Sequence, residues 1–242
     1  MSIKYYSYKA PLLLSIISCL LHTYAIAQQD RFESGLASKD RGHYATALRA
    51  WIPMAESGNP EAQNNVGYMY EEGLGVPQNY LMAMNWYRQA AEGELAQAQH
   101  NMGMLYHNGY GVAENLTEAF RWFKMAADQE LAEAEYMLGL AYQSGEGTSL
   151  DYMEARRLLL SSARKNYTPA QMMYAFMLQA GEGSDSQPFS AYVWGKIAEA
   201  NGSESAIDIT VLSTIQLDDD DIADAEIIIA ECLSASLADC PD

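Results

Sequence analysis

A period of 36 residues dominates this sequence and restricts the chain to a fold built from repeated units. Glycine recurs at this interval at Gly67, Gly103 and Gly139. A pair of glycines separated by one other residue also recurs at this interval in four successive units, beginning at Gly73, Gly109, Gly145 and Gly181. Alanine recurs at the same interval at five positions: Ala62, Ala98, Ala134, Ala170 and Ala206. Such regularity is typical of arrays in which each unit buries its apolar face against its neighbours.

Each unit is predicted to contain two helices. In the first helix, Ala62, Val66 and Tyr70 follow one another at the spacing of an apolar helix face. Gly73 stands where the helix must end, because glycine adopts the left-handed conformation without a Cβ penalty. Asn79 then offers a side-chain acceptor for the free N–H groups of a second helix. The sequence therefore predicts a helix pair joined by a glycine-rich turn.

Glycine inside a helix costs about 1 kcal/mol relative to alanine, so the three repeat glycines require a packing reason. We predict that the second helix of each pair approaches too closely for a Cβ. In this prediction Ala83 and its equivalents are the small partners, and tryptophan rings fill the next layer. The tryptophans of that layer are Trp86, Trp122 and Trp194.

The order of alanine, glycine, tyrosine, paired glycines, alanine and tryptophan resembles the Sel1-like repeat family, relatives of the tetratricopeptide solenoids. Residues 62–97 are the best copy of this pattern. The resemblance implies an all-α fold, a right-handed α/α superhelical solenoid of 36-residue helix-turn-helix repeats. It also implies a role in protein–protein interaction, with the first helices lining the concave side. The sequence indicates no cofactor and no metal.

The repeat pattern predicts the domain organisation. Residues 28–61 form N-terminal capping helices and a half-repeat, in which Trp51 falls one place later than Trp86 predicts. Beyond the repeats, residues 203–242 form a closing helix pair and a tail. There Asp218 is expected to cap the last helix, and we interpret the acidic run that it begins as a helix N-terminus rather than a calcium site. The four repeats are residues 62–97, 98–133, 134–169 and 170–202.

The charge of the chain narrows the class of partner. There are 14 Lys and Arg residues against 32 Asp and Glu, a formal net charge of -18. Binding to nucleic acid or to anionic lipid requires clustered cations, so we expect neither. The partner is expected to be a protein or peptide that is neutral, basic or recognised through apolar contact.

The first 27 residues have the order of a secretory signal peptide. Two lysines precede an apolar run from Leu12 to Leu21, and Ala25-Ile26-Ala27 precedes the expected cleavage site. That run is too short to span a bilayer, which needs about 20 apolar residues. We expect a periplasmic or secreted protein of a Gram-negative bacterium. The alternative is a lipoprotein attached through Cys19.

Export bears on the remaining cysteines. Cleavage after Ala27 leaves Cys232 and Cys240, which we predict to form a disulfide in an oxidising compartment. The alternative is two free thiols in a frayed tail.

Residues with catalytic potential are few, and we expect no enzyme. We interpret His100 and His107, seven residues apart on one helix, as surface rather than a metal site. Some cysteine-rich members of the repeat family are linked to penicillin binding or β-lactamase activity, but this chain lacks their one disulfide per repeat. A relative of those proteins is one alternative. Another is a periplasmic regulator of a sensor kinase or of an envelope-polymer system.

A binding surface is the remaining candidate. Two positions in each first helix vary freely between units, and they are expected to line the concave side. A row of aromatic and methionine side chains on an otherwise acidic protein suits an amphipathic or basic segment. The alternative for each position is burial between repeats. With His107, the predicted row consists of Asn64, Tyr68, His100, Met104, His107, Tyr136, Leu140, Met172 and Phe176.

Overall fold

The computed structural model describes residues 10–234, together with Leu237 and Cys240. In this part of the chain the regular elements are α-helices with no strand, which confirms the predicted all-α repeat fold. The first compact unit, residues 1–93, contains α1 (Ala10–Asp40), α2 (Tyr44–Glu56), α3 (Pro60–Glu72) and α4 (Tyr80–Glu92). The second, residues 94–242, contains α5 (Ala96–Asn108), α6 (Leu116–Ala127), α7 (Ala132–Ser144), α8 (Tyr152–Arg164), α9 (Thr168–Ala180), α10 (Pro188–Ala200), α11 (Ala206–Thr214) and α12 (Asp219–Ser234).

Local sequence signals set the helix ends, at Gly73 and Asn79 as predicted and at Asn59, for which no prediction was made. The Asn59 side chain accepts a hydrogen bond from the backbone N–H of Ala62 at 2.7 Å, which caps α3. At the other end of α3, Gly73 has φ 68°, a conformation that disfavours any residue with a Cβ. The second helices α4, α6 and α8 are capped by the side chains of Asn79, Asn115 and Asp151.

The repeat glycines lie where the two helices of each pair touch, as predicted. A Cβ built on Gly103 of α5 would lie 2.5 Å from the ring of Phe123 on α6. Contacts that short do not occur in folded proteins, so only glycine fits unless the ring moves. The other two repeat glycines make the same contact in the pairs Gly67–Tyr87 and Gly139–Leu159.

The identity of the packing side chain differs from the prediction. The side chain that covers each glycine is the one directly after the tryptophan position, while Trp86 and Trp122 themselves are only half-buried. Trp194 alone of the three is fully buried. The expected contact with Ala83 is made through its backbone oxygen, 3.3 Å from the Cβ position of Gly67. In these three pairs the second helix therefore contacts the first through an aromatic or leucine side chain that packs directly against a glycine.

Trp51 makes the same contact in the N-terminal pair. It stands 36 residues before Tyr87, which explains why it falls one place after the tryptophan position. Its ring occupies the space that a Cβ of Gly35 would need, and its Nε1 donates a hydrogen bond to the carbonyl of Phe32 at 3.3 Å. Because Gly35 and Phe32 lie on α1, the C-terminal half of α1 takes the place of a first helix and pairs with α2.

The closing helices depart from the repeat arrangement. Both predicted helices are present, and the Asp218 side chain caps α12 by accepting a hydrogen bond from the N–H of Asp221 at 2.9 Å. However, α12 packs against α10 instead of pairing with α11 as a second helix pairs with a first helix. The prediction of a closing helix pair is therefore wrong in its packing. The core of this region forms where α10 receives both α11 and α12.

Candidate binding surface

The predicted row is only partly exposed. Tyr68 and Phe176 have the most accessible side chains of the set, with exposed fractions of 40% and 42%. Tyr68 lies on α3 of the first unit, where the ammonium group of Lys39 is 5.9 Å from the centre of its ring. The half-buried members are Asn64, His100, Met104, His107, Tyr136, Leu140 and Met172. Burial thus divides the row into exposed and packed members.

Several half-buried members of the row contribute to packing in the second unit. The ring of Tyr136 meets that of Tyr167 edge-on, with centroids 5.4 Å apart. Tyr136 and Met172 both pack against the core formed by α8, α9 and α10. Met104 packs against the cluster around Phe123. At these three positions the alternative of burial between helices describes the structure better than a free binding surface.

Two members of the row meet at a small apolar cavity of the second unit. His107 at the end of α5 and Leu140 of α7 both line a cavity of about 120 Å³. The rest of the lining is mostly apolar: Leu116, Ala119, Phe120, Phe123, Met137, Ala141 and Glu146. Since an apolar cavity of about 150 Å³ accommodates benzene, this one has room for a single aliphatic side chain.

One side of the cavity carries a polar pair. The Nε2 atom of His107 lies 3.9 Å from a carboxylate oxygen of Glu146, which stands between the two glycines of the next repeat's turn. A ligand entering the cavity would place its apolar group among Phe120, Met137 and Leu140 and its polar backbone near this pair. The geometry suits recognition of a peptide side chain.

His100 lies deeper than predicted. Its ring packs against Phe123 with centroids 5.6 Å apart, and its Nδ1 atom is buried with no hydrogen-bond partner among the described residues. Burial lowers the pKa of His100, and the negative charge of Glu133 only partly opposes the shift. The neutral imidazole is therefore the form that the fold accommodates.

We expect His100 to make the protein less stable as the pH falls below about 6.5, the ordinary pKa of histidine. Because the folded-state pKa is lowered, the unfolded chain binds the proton first and stability is lost on acidification. Denaturant unfolding at about pH 7.5 and about pH 5.5 measures this loss. Asparagine is the residue at the equivalent position of the first repeat, Asn64, so the control variant is His100→Asn. This variant should lose less stability between the two pH values than the wild type. An equal loss in both proteins would show that His100 is not the cause of the pH dependence.

Sequence analysis missed a repeated set of polar contacts. In the last three of the four repeats, a buried residue early in the first helix accepts a hydrogen bond from a residue just beyond the second helix of the same repeat. Both partners recur every 36 residues, so the period itself was the signal that could have found them. The bonds are Gln129 to Gln99 at 2.9 Å, Lys165 to Glu135 at 2.7 Å and Asn201 to Gln171 at 2.9 Å.

Neither a serine nucleophile nor a metal site is formed by the described residues. The chain has one Ser-x-x-Lys sequence, the spacing of the nucleophile and base of serine β-lactamases, at Ser162 to Lys165. Ser162 is fully buried and donates its hydroxyl to the carbonyl of Ala132 at 2.7 Å, so it is not positioned as a nucleophile. Within the described residues, no three His, Cys, Asp or Glu side chains come together as metal ligands.

The two C-terminal cysteines are joined. A disulfide links Cys232 at the end of α12 to Cys240, with Cα atoms 5.7 Å apart. The carbonyl of Cys240 accepts a hydrogen bond from the Arg164 guanidinium at 2.7 Å. This contact ties the C-terminal segment to the end of α8.

Comparison with known proteins identifies the repeats. The model of the Sel1 repeat family matches four consecutive segments, residues 60–94, 96–131, 132–167 and 168–203. The chain belongs to the Sel1 repeat family. Each matched segment begins with a first helix, two residues before the predicted repeat bounds, because those bounds were set on the buried alanine at the third position of the helix.

Solved Sel1 structures share this fold. A Sel1 repeat protein from Oxalobacter formigenes is 31% identical over 72% of each chain, with a TM-score of 0.66. The protective antigen c5321 of uropathogenic Escherichia coli, which displays an SLR fold, is 24% identical over 76% of this chain and 47% of its own, with a TM-score of 0.51. A sel1 repeat protein from Klebsiella pneumoniae is 18% identical over 77% of this chain and 93% of its own, with a TM-score of 0.52. No curated protein matches the chain.

Family membership sets the general role. Sel1 repeats are generally protein-interaction modules, and proteins built from them are typically non-catalytic scaffolds that bind proteins. Across the described helices, none combines the length and apolar content needed to cross a bilayer.

Proposed function

We propose that this Sel1 repeat protein is a non-catalytic scaffold that binds a partner protein by holding one of its apolar side chains in the cavity between α5, α6 and α7. The cavity carries the proposal, since it places apolar side chains of two helices beside the polar pair His107 and Glu146. Phe176, exposed two helices further along the same unit, offers a second apolar contact. Aromatic and aliphatic anchors of this kind supply most of the binding energy at protein interfaces.

Replacing Leu140 by aspartate tests the proposal. The carboxylate would lie at the cavity and penalise entry of an apolar group, so we expect capture of the partner from an envelope fraction to weaken at least tenfold, about 1.4 kcal/mol. The control is Leu150→Asp, which adds the same charge at an exposed leucine in the turn before α8. Circular dichroism must show both variants folded. Capture of the same protein by wild type and by folded Leu140→Asp with equal strength would refute the cavity as the binding site.

We also propose that the protein acts outside the cytoplasm, after removal of residues 1–27. The packing of α1 supports this cleavage. His22, Thr23 and residues 25–27 are exposed, whereas Phe32, Gly35 and Leu36 pack against α2. The part of α1 after Ala27 runs from Gln28 to Asp40, 13 residues, the length of the first helix α3. The disulfide is also of the kind found in oxidising compartments.

The intact mass of the protein recovered from its native compartment tests export. We expect an N-terminus at Gln28, and alkylation of two thiols only after reduction of the Cys232–Cys240 bond. An unprocessed N-terminus with thiols that react without reductant would contradict export. A mature chain that begins at Cys19 and carries a lipid would instead show that the protein is a lipoprotein.

A further inference from the structure

The helix α11 exposes an apolar face. Ile207, Val211 and Ile215 follow one another at intervals of four residues, and their exposed fractions are 50%, 55% and 75%. Leu212 lies beside them and is 53% exposed. Three of these large aliphatic side chains lie on α11 and the fourth, Ile215, directly follows it, and together they form a surface of the kind that marks an interaction site. We call these four residues the α11 face.

The repeat register shows what normally covers this face. Ile207 and Val211 stand 36 residues after Gln171 and Ala175 of α9. Both of those residues are fully buried, and the repeat glycine equivalent to Ala175 is the position at which a first helix receives its second helix. Because α12 packs against α10, no second helix of the described chain lies on the corresponding side of α11. The α11 face is thus an unoccupied helix-docking position of the repeat.

The charge around the α11 face restricts what can dock there. Residues 197–242 contain 12 Asp and Glu residues and no Lys, Arg or His, and the cation just before them, Lys196 of α10, is paired with Glu199 at 2.8 Å. Glu204 and Asp208, at the start of α11, are exposed, as are the first aspartates of α12. A second copy of this chain would bring two such acidic segments together, and an anionic lipid surface would be repelled in the same way. A cationic partner is attracted.

We propose that α11 docks a basic amphipathic helix of a partner protein, in the place that a second helix takes in the four repeats. The apolar stripe of that helix would cover Ile207, Val211 and Ile215, and its lysines or arginines would face the surrounding carboxylates. Since Val211 stands where three repeats have glycine and the fourth has Ala175, the docked helix must carry a small residue opposite it. The inference rests on the proposed scaffold function. It adds the α11 face as a second binding surface and a basic amphipathic helix as the kind of partner that this surface binds.

A labelled synthetic peptide of about 15 residues, long enough for four helical turns, is the probe. It carries alanine and leucine on one face and lysine on the other, and its binding to the full chain is followed by fluorescence polarisation. We expect saturable binding that weakens as salt is raised. A peptide with glutamate in place of every lysine should not bind. The double substitution Val211→Asn and Ile215→Asn, which leaves the charge unchanged, should weaken binding at least tenfold.

The matched control is Ile227→Asn, which alters an equally exposed isoleucine, on α12. Its affinity should equal that of the wild type, and circular dichroism should show all variants folded. The proposal is overturned if the lysine peptide fails to bind at about 1 mM, if the glutamate peptide binds as well, or if Ile227→Asn weakens binding as much as the double variant. Concentration-dependent dimers abolished by the double variant would assign the face to a second copy instead. A partner that is lost with Leu140→Asp but retained by the α11 variant would support the cavity and refute this inference.

Discussion

Replacing Gly103 by leucine should lower the free energy of unfolding by about 3 kcal/mol or more, the upper range for overpacking a core. The backbone at Gly103 lies against the Phe123 ring so closely that even a Cβ would come within 2.5 Å of it. A leucine must therefore displace the ring or separate α5 from α6. Chemical denaturation of the wild type and the variant measures the loss. Glu72→Ala, at an exposed position of α3, should change stability by less than about 0.5 kcal/mol.

A double-mutant cycle can assign the loss to this contact. Gly103→Ala should cost less when Phe123 is first replaced by leucine, the residue that covers the glycine of the third repeat at Leu159. Leucine is smaller than phenylalanine, and its side chain can change rotamer to make room for a Cβ more easily than the rigid ring can. Residues in direct contact typically couple by about 0.5 to 3 kcal/mol. If the cost of Gly103→Ala is the same in both backgrounds, the ring contact is not the reason for glycine.

The fold could be predicted because each unit carries its own local signals. Asn79 caps its helix as expected, and Gly73 ends α3 in the left-handed conformation. These features depend on the backbone within a few residues, so one sequence is sufficient to recognise them. The period then shows that the same helix pair occurs repeatedly along the chain.

The period was less informative about which side chain of the second helix packs against the glycine of the first helix. It identified Gly67 as a close-contact position, but the prediction placed Ala83 against this glycine and the ring of Trp86 in the next layer. The structure places Tyr87, one residue later, on the glycine, since a step of one residue turns a side chain by 100° around the helix. In the N-terminal pair the tryptophan itself, Trp51, stands at the position equivalent to Tyr87, one place after the position equivalent to Trp86.

The candidate site was the least predictable part. Residues equivalent by the period, such as Met104 and Phe176, differ in exposure because their neighbours differ: Met104 packs against the cluster around Phe123 while Phe176 is exposed. The same reasoning explains the closing helices. The apolar pattern of α12 predicts that one side is buried, but it does not state whether α10 or α11 buries it.

Breaking the contact between Lys165 and Glu135 should also cost about 3 kcal/mol, because removal of one partner leaves a buried charge without compensation. Glu135 is 5% exposed and lies on α7, where its Oε1 accepts hydrogen bonds from Lys165 at 2.7 Å and from Ser161 at 2.9 Å. Its second oxygen, Oε2, is buried with no hydrogen-bond partner among the described residues. The variant Lys165→Met keeps the length of the side chain and removes the charge, and denaturant unfolding measures the loss.

The preceding repeat suggests how to restore the lost stability. There the equivalent residues are both glutamine, and Gln129 donates to Gln99 without any buried charge. The double variant Glu135→Gln, Lys165→Gln should therefore be at least as stable as the wild type, since Lys165 is exposed and replacing the buried carboxylate of Glu135 by a neutral amide removes its desolvation penalty. A glutamine at 135 could also donate to the carbonyl of Ala127, as Gln171 donates to that of Ala163 at 3.2 Å. If Lys165→Met alone is as stable as the wild type, Glu135 is adequately solvated without its lysine. In that case the charge at this position is a tolerated variation of the glutamine contact and adds nothing to the fold.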